Sequence, residues 1–327
     1  MRRVAFTAII GAAMVCASCQ KDLCNDHVHS TEIDVRFDWS LTKPDGASSM
    51  YMVLMPVSGE SMTRQEQTFG DTDGGTMVAA RGRYHAIALN RNGSLNEIHL
   101  DTYEGAYATT SATDVVSTKT FHGGIKGAPL PAGSTSSDVR SQPSPLYADT
   151  CSVFAVDNAH REHVMQPKRL VDTIDVRVEG VENLEYVIGM SAAISGMNSA
   201  VSLSRLEPMD GLCTVPMELE AIGSTTIGGR VLTFGHCHGS QQKQQHVLTI
   251  YTMLVDGSKY YFNYDVSGKM HEIEPEKPEK PDDPEVPEGP AHIVIDIPKL
   301  PVPLPTHSGG FQPEMGDWEE REIDVAM

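Results

Sequence analysis

Ile33-Asp34-Val35-Arg36-Phe37-Asp38-Trp39 alternates apolar and charged residues without a break. A period of two predicts a half-buried β-strand, with Ile33, Val35, Phe37 and Trp39 on the core face and Asp34, Arg36 and Asp38 in water. The pattern returns at Ile174-Asp175-Val176-Arg177-Val178-Glu179. Two such strands, each near the start of one half of the chain, predict two similarly built β-domains.

The residues around them fit that frame. Pro44-Asp45-Gly46 and Asp71-Thr72-Asp73-Gly74-Gly75 read as turns, and residues 50–57, 76–80 and 82–90 as strands. Residues 103–148 lose all periodicity in Ser, Thr, Gly, Ala and Pro, and read as a long loop or a few edge strands with long connections. An apolar strand returns at 151–156. In the second half, the small-residue stretch 183–204 reads as a short helix or a strand pair, and 213–221 and 230–234 as strands. Residues 246–255 and 259–266 flank Asp256-Gly257-Ser258, the strongest hairpin signal in the chain, with Tyr260, Tyr261, Phe262 and Tyr264 as an aromatic centre. No long segment has a helical period. The expected class is all-β, with two antiparallel β-sandwiches at residues 31–160 and 161–273.

Residues 274–291 change character. Pro275, Pro278, Pro281, Pro284, Pro287 and Pro290 recur at every third position among acids and lysines. A polyproline II helix has three residues per turn, so the prolines share one edge and the charges stay solvated. This reads as a linker, a semi-rigid strut of about 45 Å. It carries a tail, residues 292–327, in which His292-Ile293-Val294-Ile295-Asp296-Ile297 and Ile323-Asp324-Val325 read as strands that must pair somewhere. On this reading the second domain and the tail are free to project.

At the other end, Arg2 and Arg3 precede an apolar run over residues 4–17, and Cys16-Ala17-Ser18-Cys19 leads into polar Gln20-Lys21-Asp22. A charged start, an apolar middle and a small-residue cleavage site make a secretory signal. The run is shorter than the ~20 apolar residues that span a bilayer. A cysteine directly after small residues also reads as a lipobox, cut between Ser18 and Cys19, with the Cys19 thiol carrying palmitate-type acyl chains. Cys16 is the competing choice, but Val15 before it fits a small-residue cleavage pocket poorly. The alternative is an ordinary secretory signal. The expected organisation starts with a signal peptide at 1–18 and a lipid-anchored tether at 19–30.

The formal charge of −19 repels phosphate backbones and anionic head groups. Nucleic acid is therefore not an expected partner, and membrane attachment rests on the lipid. Aromatic residues are 6% of the chain, which does not favour an aromatic sugar-binding platform. No Gly-x-Ser-x-Gly elbow, phosphate-binding Gly-Lys-Ser/Thr loop, His-Glu-x-x-His or paired Cys-x-x-Cys is present. No enzyme activity and no cofactor are expected.

His236-Cys237-His238 with nearby His246 is the most ligand-like group, since His236 and His238 share a face on a strand. A polar hairpin loop is the stronger reading, and no metal is assigned. Cys24, Asp26, His27 and His29, the Asp71 turn, and His160 with His163 read as local turns or surface residues. Beyond Cys19, the cysteines Cys24, Cys151, Cys213 and Cys237 allow three pairings. A Cys213–Cys237 disulfide is one possibility, and free buried thiols are another.

Three pieces in order carry a resemblance: Asp22-Leu23-Cys24-Asn25-Asp26-His27-Val28-His29 with Val35-Arg36-Phe37-Asp38-Trp39; Leu248-Thr249-Ile250-Tyr251 through Asp256-Gly257-Ser258-Lys259; and Gly309-Gly310-Phe311 through Trp318-Glu319 to Ile323-Asp324. Together they resemble a Bacteroidales-type outer-membrane lipoprotein family of unknown function, similar to FimB-like fimbrial anchors and minor fimbrillin subunits. The resemblance implies two transthyretin-like β-sandwiches, a lipid anchor in the outer membrane, no enzyme activity, and a role as fimbrial anchor, accessory or adhesion component among fimbrillin-type subunits. Gln20-Lys21-Asp22 is similar to the short charged signals that send such lipoproteins to the outer face, although its single acid leaves the periplasmic face open. The physical basis of partner binding on this reading is β-strand addition. The alternative function is a surface lipoprotein that captures a glycan or a metal.

Overall fold

The computed structural model describes residues 29–59, 62–91, 95–116, 127–236, 245–271, 292–306 and 317–321. Ser18, Cys19, Cys237, His238, the linker at 274–291 and the expected strand at 323–325 lie outside the described residues.

The chain is all-β, with two transthyretin-like sandwiches. The first half supplies β1 (Ser30–Phe37), β2 (Met50–Pro56), β3 (Gln65–Phe69), β4 (Gly74–Ala80), β5 (Gly82–Asn90), β6 (Asn96–His99), β7 (Tyr107–Thr110), β8 (Tyr147–Val156), β9 (Glu162–Met165) and β10 (Lys168–Arg169). The second half supplies β11 (Asp172–Val178), β12 (Val187–Asn198), β13 (Ala200–Ser202), β14 (Glu207–Pro208), β15 (Leu212–Glu218), β16 (Glu220–Ala221), β17 (Ile227–Thr233), β18 (Val247–Leu254), β19 (Lys259–Asp265), a single-turn helix α1 (Ser267–His271), β20 (His292–Ile297) and β21 (Trp318–Glu320).

In the first sandwich the sheet β4-β1-β9 faces the sheet β10-β8-β5-β2-β3. β1 alternates as its sequence dictates: Ile33, Val35 and Phe37 are buried against Met52, Leu54, Phe69 and Ala88, while Glu32, Asp34 and Arg36 face water. Trp39 packs at the edge of this core, and its indole N–H donates to the Thr72 carbonyl at 2.8 Å. In the second sandwich β16-β17-β11-β20 faces β15-β12-β18-β19-β21. Strand for strand the second repeats the first. β11, β12, β15, β17, β18, β19 and β20 take the places of β1, β2, β3, β4, β5, β8 and β9. The echo between β1 and β11 therefore marks equivalent central strands. Each pairs antiparallel on one side, with β4 or β17, and parallel on the other, with β9 or β20.

Three findings modify the sequence expectation. β9 and β10 belong to the sheets of the first sandwich, which reaches past residue 160. β20 does not project. It pairs with Thr173–Val178 of β11 and puts Ile293, Ile295 and Ile297 into the second core at 0–4% exposure. α1 and β20 thus belong to the same sandwich. Finally, β3 forms an edge strand from the polar segment Gln65-Glu66-Gln67-Thr68-Phe69, where the sequence shows no strand signal.

The aperiodic stretch 103–148 interlocks the two halves. β7 pairs with β13 of the second half, making a sheet β14-β13-β7-β6 that covers the outer face of the first sandwich's larger sheet. Tyr51, Val53, Ile87 and Leu89 pack there with Ala108, Val201 and Phe234. Further on, Val115, Val116, Leu130 and Val139 cover Ala193, Tyr251 and Met253 on the outer face of the second sandwich. The Tyr251 hydroxyl donates to the Pro129 carbonyl at 2.6 Å, and Gln142 Nε2 donates to the Pro216 carbonyl at 3.0 Å.

Candidate functional site

The backbone itself makes the first candidate. β9 and β20 each end a sheet. In a strand, N–H and C=O of one residue point to the same side and successive residues alternate. The Met165 carbonyl accepts from Asp38 N–H at 2.8 Å, so Met165 and His163 face β1 while Val164 points its backbone outward. The Ile297 carbonyl accepts from Glu179 N–H at 2.8 Å, so Ile293, Ile295 and Ile297 face β11 while Val294 and Asp296 point theirs outward. At these equivalent edges the outward residues carry exposed apolar side chains: Val164 is 52% exposed and Val294 is 49%. Among the described residues no strand pairs with these two sheet edges, so each offers outward main-chain donors and acceptors beside a small apolar contact.

The second candidate is a histidine cluster at the end of the second sandwich where β11 begins. The structure brings His236 and His246 together, as their sequence grouping suggests, and adds His271 from α1. The ring centroids lie 5.9 Å (His236–His246), 5.9 Å (His236–His271) and 5.0 Å (His246–His271) apart. His236 is 2% exposed and His246 is 0%. His236 Nδ1 is 4.0 Å from Asp172 Oδ2, and His246 Nδ1 is 3.2 Å from the Ser195 carbonyl. The seat of His246 depends on a bulge in β12 at Gly196, whose φ is +79°. A Cβ at that position would fall 2.6 Å from His246 Nδ1. Burial, and then His271 beside it, hold the His246 pKa below its ordinary value. His271 was missed in sequence because nothing around it but the linker marks it.

Among the described residues no group of three His, Cys, Asp or Glu side chains is placed to hold a metal ion. Cys213 is a buried free thiol whose Sγ lies 3.5 Å from the Asn198 carbonyl, and burial pushes its pKa up to about 12. It lines a small open cleft of about 150 Å³ with Ser134, Asp138, Ser195 and Gln245. The remaining sequence candidates are local. Asp71 Oδ1 accepts from Asp73 and Gly74 N–H, closing its turn. His160 pairs with Asp157, whose pKa it draws down to about 2, and His163 stacks on Phe154 at 3.9 Å. Among the described residues no helix is long and apolar enough to cross a membrane.

The architecture of paired, interlocked sandwiches defines a class with solved members. A candidate adhesin from Bacteroides ovatus shares 16% identity, with 84% of this chain and 95% of that chain covered and a TM-score of 0.61. A second candidate adhesin from Bacteroides ovatus shares 9% identity over 82% of this chain and 89% of that chain, with a TM-score of 0.50. The fimbrial anchor protein Mfa2 from Porphyromonas gingivalis overlaps more loosely, at 13% identity, 74% and 84% coverage and a TM-score of 0.44. These likenesses are of fold. By sequence, residues 17–218 match the domain of unknown function DUF5119, and the chain belongs to that family. A search of curated protein sequences finds no match.

Proposed function

We propose that this chain is a non-enzymatic lipoprotein held in the outer membrane through acylated Cys19. It serves at the cell surface as an adhesion component, an anchor or accessory subunit of a fimbria, and engages fimbrillin-type subunits by β-strand addition. The observation that carries this reading is the pair of equivalent edges, β9 and β20, with which no described strand pairs, with outward Val164 and Val294. An extended partner segment could hydrogen-bond to either edge, with the valine adding side-chain contact. β20 itself supports the idea, since it is a strand from remote sequence that joins the edge of the sheet through β11. The fold shared with Bacteroides candidate adhesins supports the adhesive part.

The test is Val294→Pro in the full chain. Proline at an edge removes one outward N–H and leaves the Ile293 and Ile295 bonds to β11 in place. Co-purification of fimbrillin-type subunits is expected to fall about tenfold or more, with the thermal midpoint nearly unchanged. Undiminished co-purification from a folded Val294→Pro protein would sink strand addition at this edge.

A further inference from the structure

The chain enters the first sandwich at one end, where Arg81 N–H donates to the His29 carbonyl at 2.7 Å and Ser30 of β1 pairs with Ala80 of β4. The β4–β5 turn around Arg81 and residues 157–161 between β8 and β9 lie at this end. Both segments are fixed locally. Asp157 Oδ1 accepts from Ala159 and His160 N–H at 2.7 and 2.8 Å, and the Arg161 carbonyl accepts from Asp34 N–H at 2.7 Å. Exposed Asn158 stands between the two arginines. Its Oδ1 accepts from Arg81 Nη2 at 2.8 Å and from Arg161 Nη2 at 3.5 Å, so the guanidinium groups lie within about 6 Å of each other. Both are exposed, and neither forms an ion pair with a carboxylate of the described residues. The nearby acids are committed elsewhere: Asp157 pairs with His160 at 2.9 Å, and Glu32 and Glu162 lie on the solvent face of their strands. Two cations gathered on one neutral oxygen repel each other until an anion joins them. A phosphate suits the pair, because its oxygens accept from two guanidinium forks at once.

We propose that Arg81 and Arg161 form a phosphate-binding pair that docks this end of the first sandwich on the head-group phosphates of the membrane that holds the anchor. The proposal rests on the acylation of Cys19. Given that anchor, covalent geometry keeps the pair near the bilayer: from Cys19 to His29 the chain spans at most about 35 Å. The formal charge of −19 opposes adsorption of the surface as a whole, which confines the contact to this end. The second sandwich joins the first at the opposite end, where β10 pairs with Tyr147 and Ala148 before β11 begins. Docking through the two arginines therefore turns a loose tether into a fixed stance, with the second sandwich directed away from the membrane.

Hydrogen exchange on the full acylated chain tests this, with acylation scored first by mass. The chain is compared in dodecyl maltoside micelles and in vesicles of phosphatidylcholine with 30 mol% phosphatidylglycerol. Exchange over residues 80–83 and 157–161 should slow on the vesicles. An arginine at an anionic surface contributes about a fivefold factor, so the Arg81→Gln/Arg161→Gln double variant should weaken docking about twentyfold and lose most of that slowing. Exchange in β18 should not change in either sample. Inorganic phosphate at 10 mM, added to the micelles, separates the two sources of phosphate and should leave both loops as they were. Equal slowing by inorganic phosphate assigns a free-anion site and overturns the docking. Slowing on vesicles that survives in the folded double variant, or no slowing of the acylated wild type, overturns it too. A chain without acyl groups refutes the anchor, and the docking with it.

Discussion

Replacing Ile295 with alanine isolates the contribution of β20 to the second core. Ile295 is fully buried among Ile174, Val176 and their neighbours, and its alternate neighbour Val294 faces out. The substitution removes three carbons, about 2.4 kcal/mol at ~0.8 per methylene. The cavity left behind brings the cost to about 3–4 kcal/mol. Val294→Ala, at a half-exposed position, should cost about 0.5 kcal/mol or less. The two tryptophans give each sandwich its own probe. Trp39 lies at the first core, and Trp318 meets Tyr251 edge-on at 5.4 Å on the second. In a Trp39→Phe background, urea unfolding followed by Trp318 fluorescence should shift its midpoint by about 1.5–2 M in Ile295→Ala, for an m-value near 2 kcal/mol/M. A shift no larger than that of Val294→Ala would refute the claim that β20 completes the core. Because the 103–148 stretch interlocks the halves, Trp39 fluorescence in a Trp318→Phe background should show the same Ile295→Ala penalty in part.

Other outcomes follow from single contacts. Tyr251→Phe loses its bond to the Pro129 carbonyl and should lower stability by about 1 kcal/mol in urea denaturation, with faster hydrogen exchange across residues 127–140. Gly74→Ala should cost several kcal/mol or prevent folding, read by thermal denaturation. The backbone there has φ +114°, and a Cβ would overlap the Val35 carbonyl. Cys213 should resist iodoacetamide at pH 8 in the native protein and react fully in urea, by mass mapping, because its buried thiol is held near pKa 12.

Where one face of a strand is wet, the sequence is legible. β1 is read from its alternation, whereas the fully buried β18 is found through the turn chemistry of its hairpin with β19, and the mostly buried β5 through its length. Where both faces are covered, alternation vanishes. β12 is buried from Gly189 to Asn198 because Ile194 faces the core while Ala193 lies under Val115, Val116 and Val139. Its small residues read equally as helix or strand. The covering residues of the 103–148 stretch were illegible for a different reason. Val115 with Val116, Leu130 and Val139 are short apolar islands far apart in sequence, and they cover another domain's sheet. The histidine cluster was half legible, since His236 and His246 are near in sequence and His271 reaches them only through the turn after β19.

Cys19 bears the central claim, that this is an anchored surface protein. The direct measurement is fractionation of cells making wild-type or Cys19→Ala chain, with metabolic acyl labelling and added protease. The account expects wild-type protein in the outer-membrane fraction, acylated and cleaved by external protease, and unlabelled Cys19→Ala protein in the soluble fraction with an unchanged fold. Cys19→Ala protein that stays in the membrane fraction would contradict it.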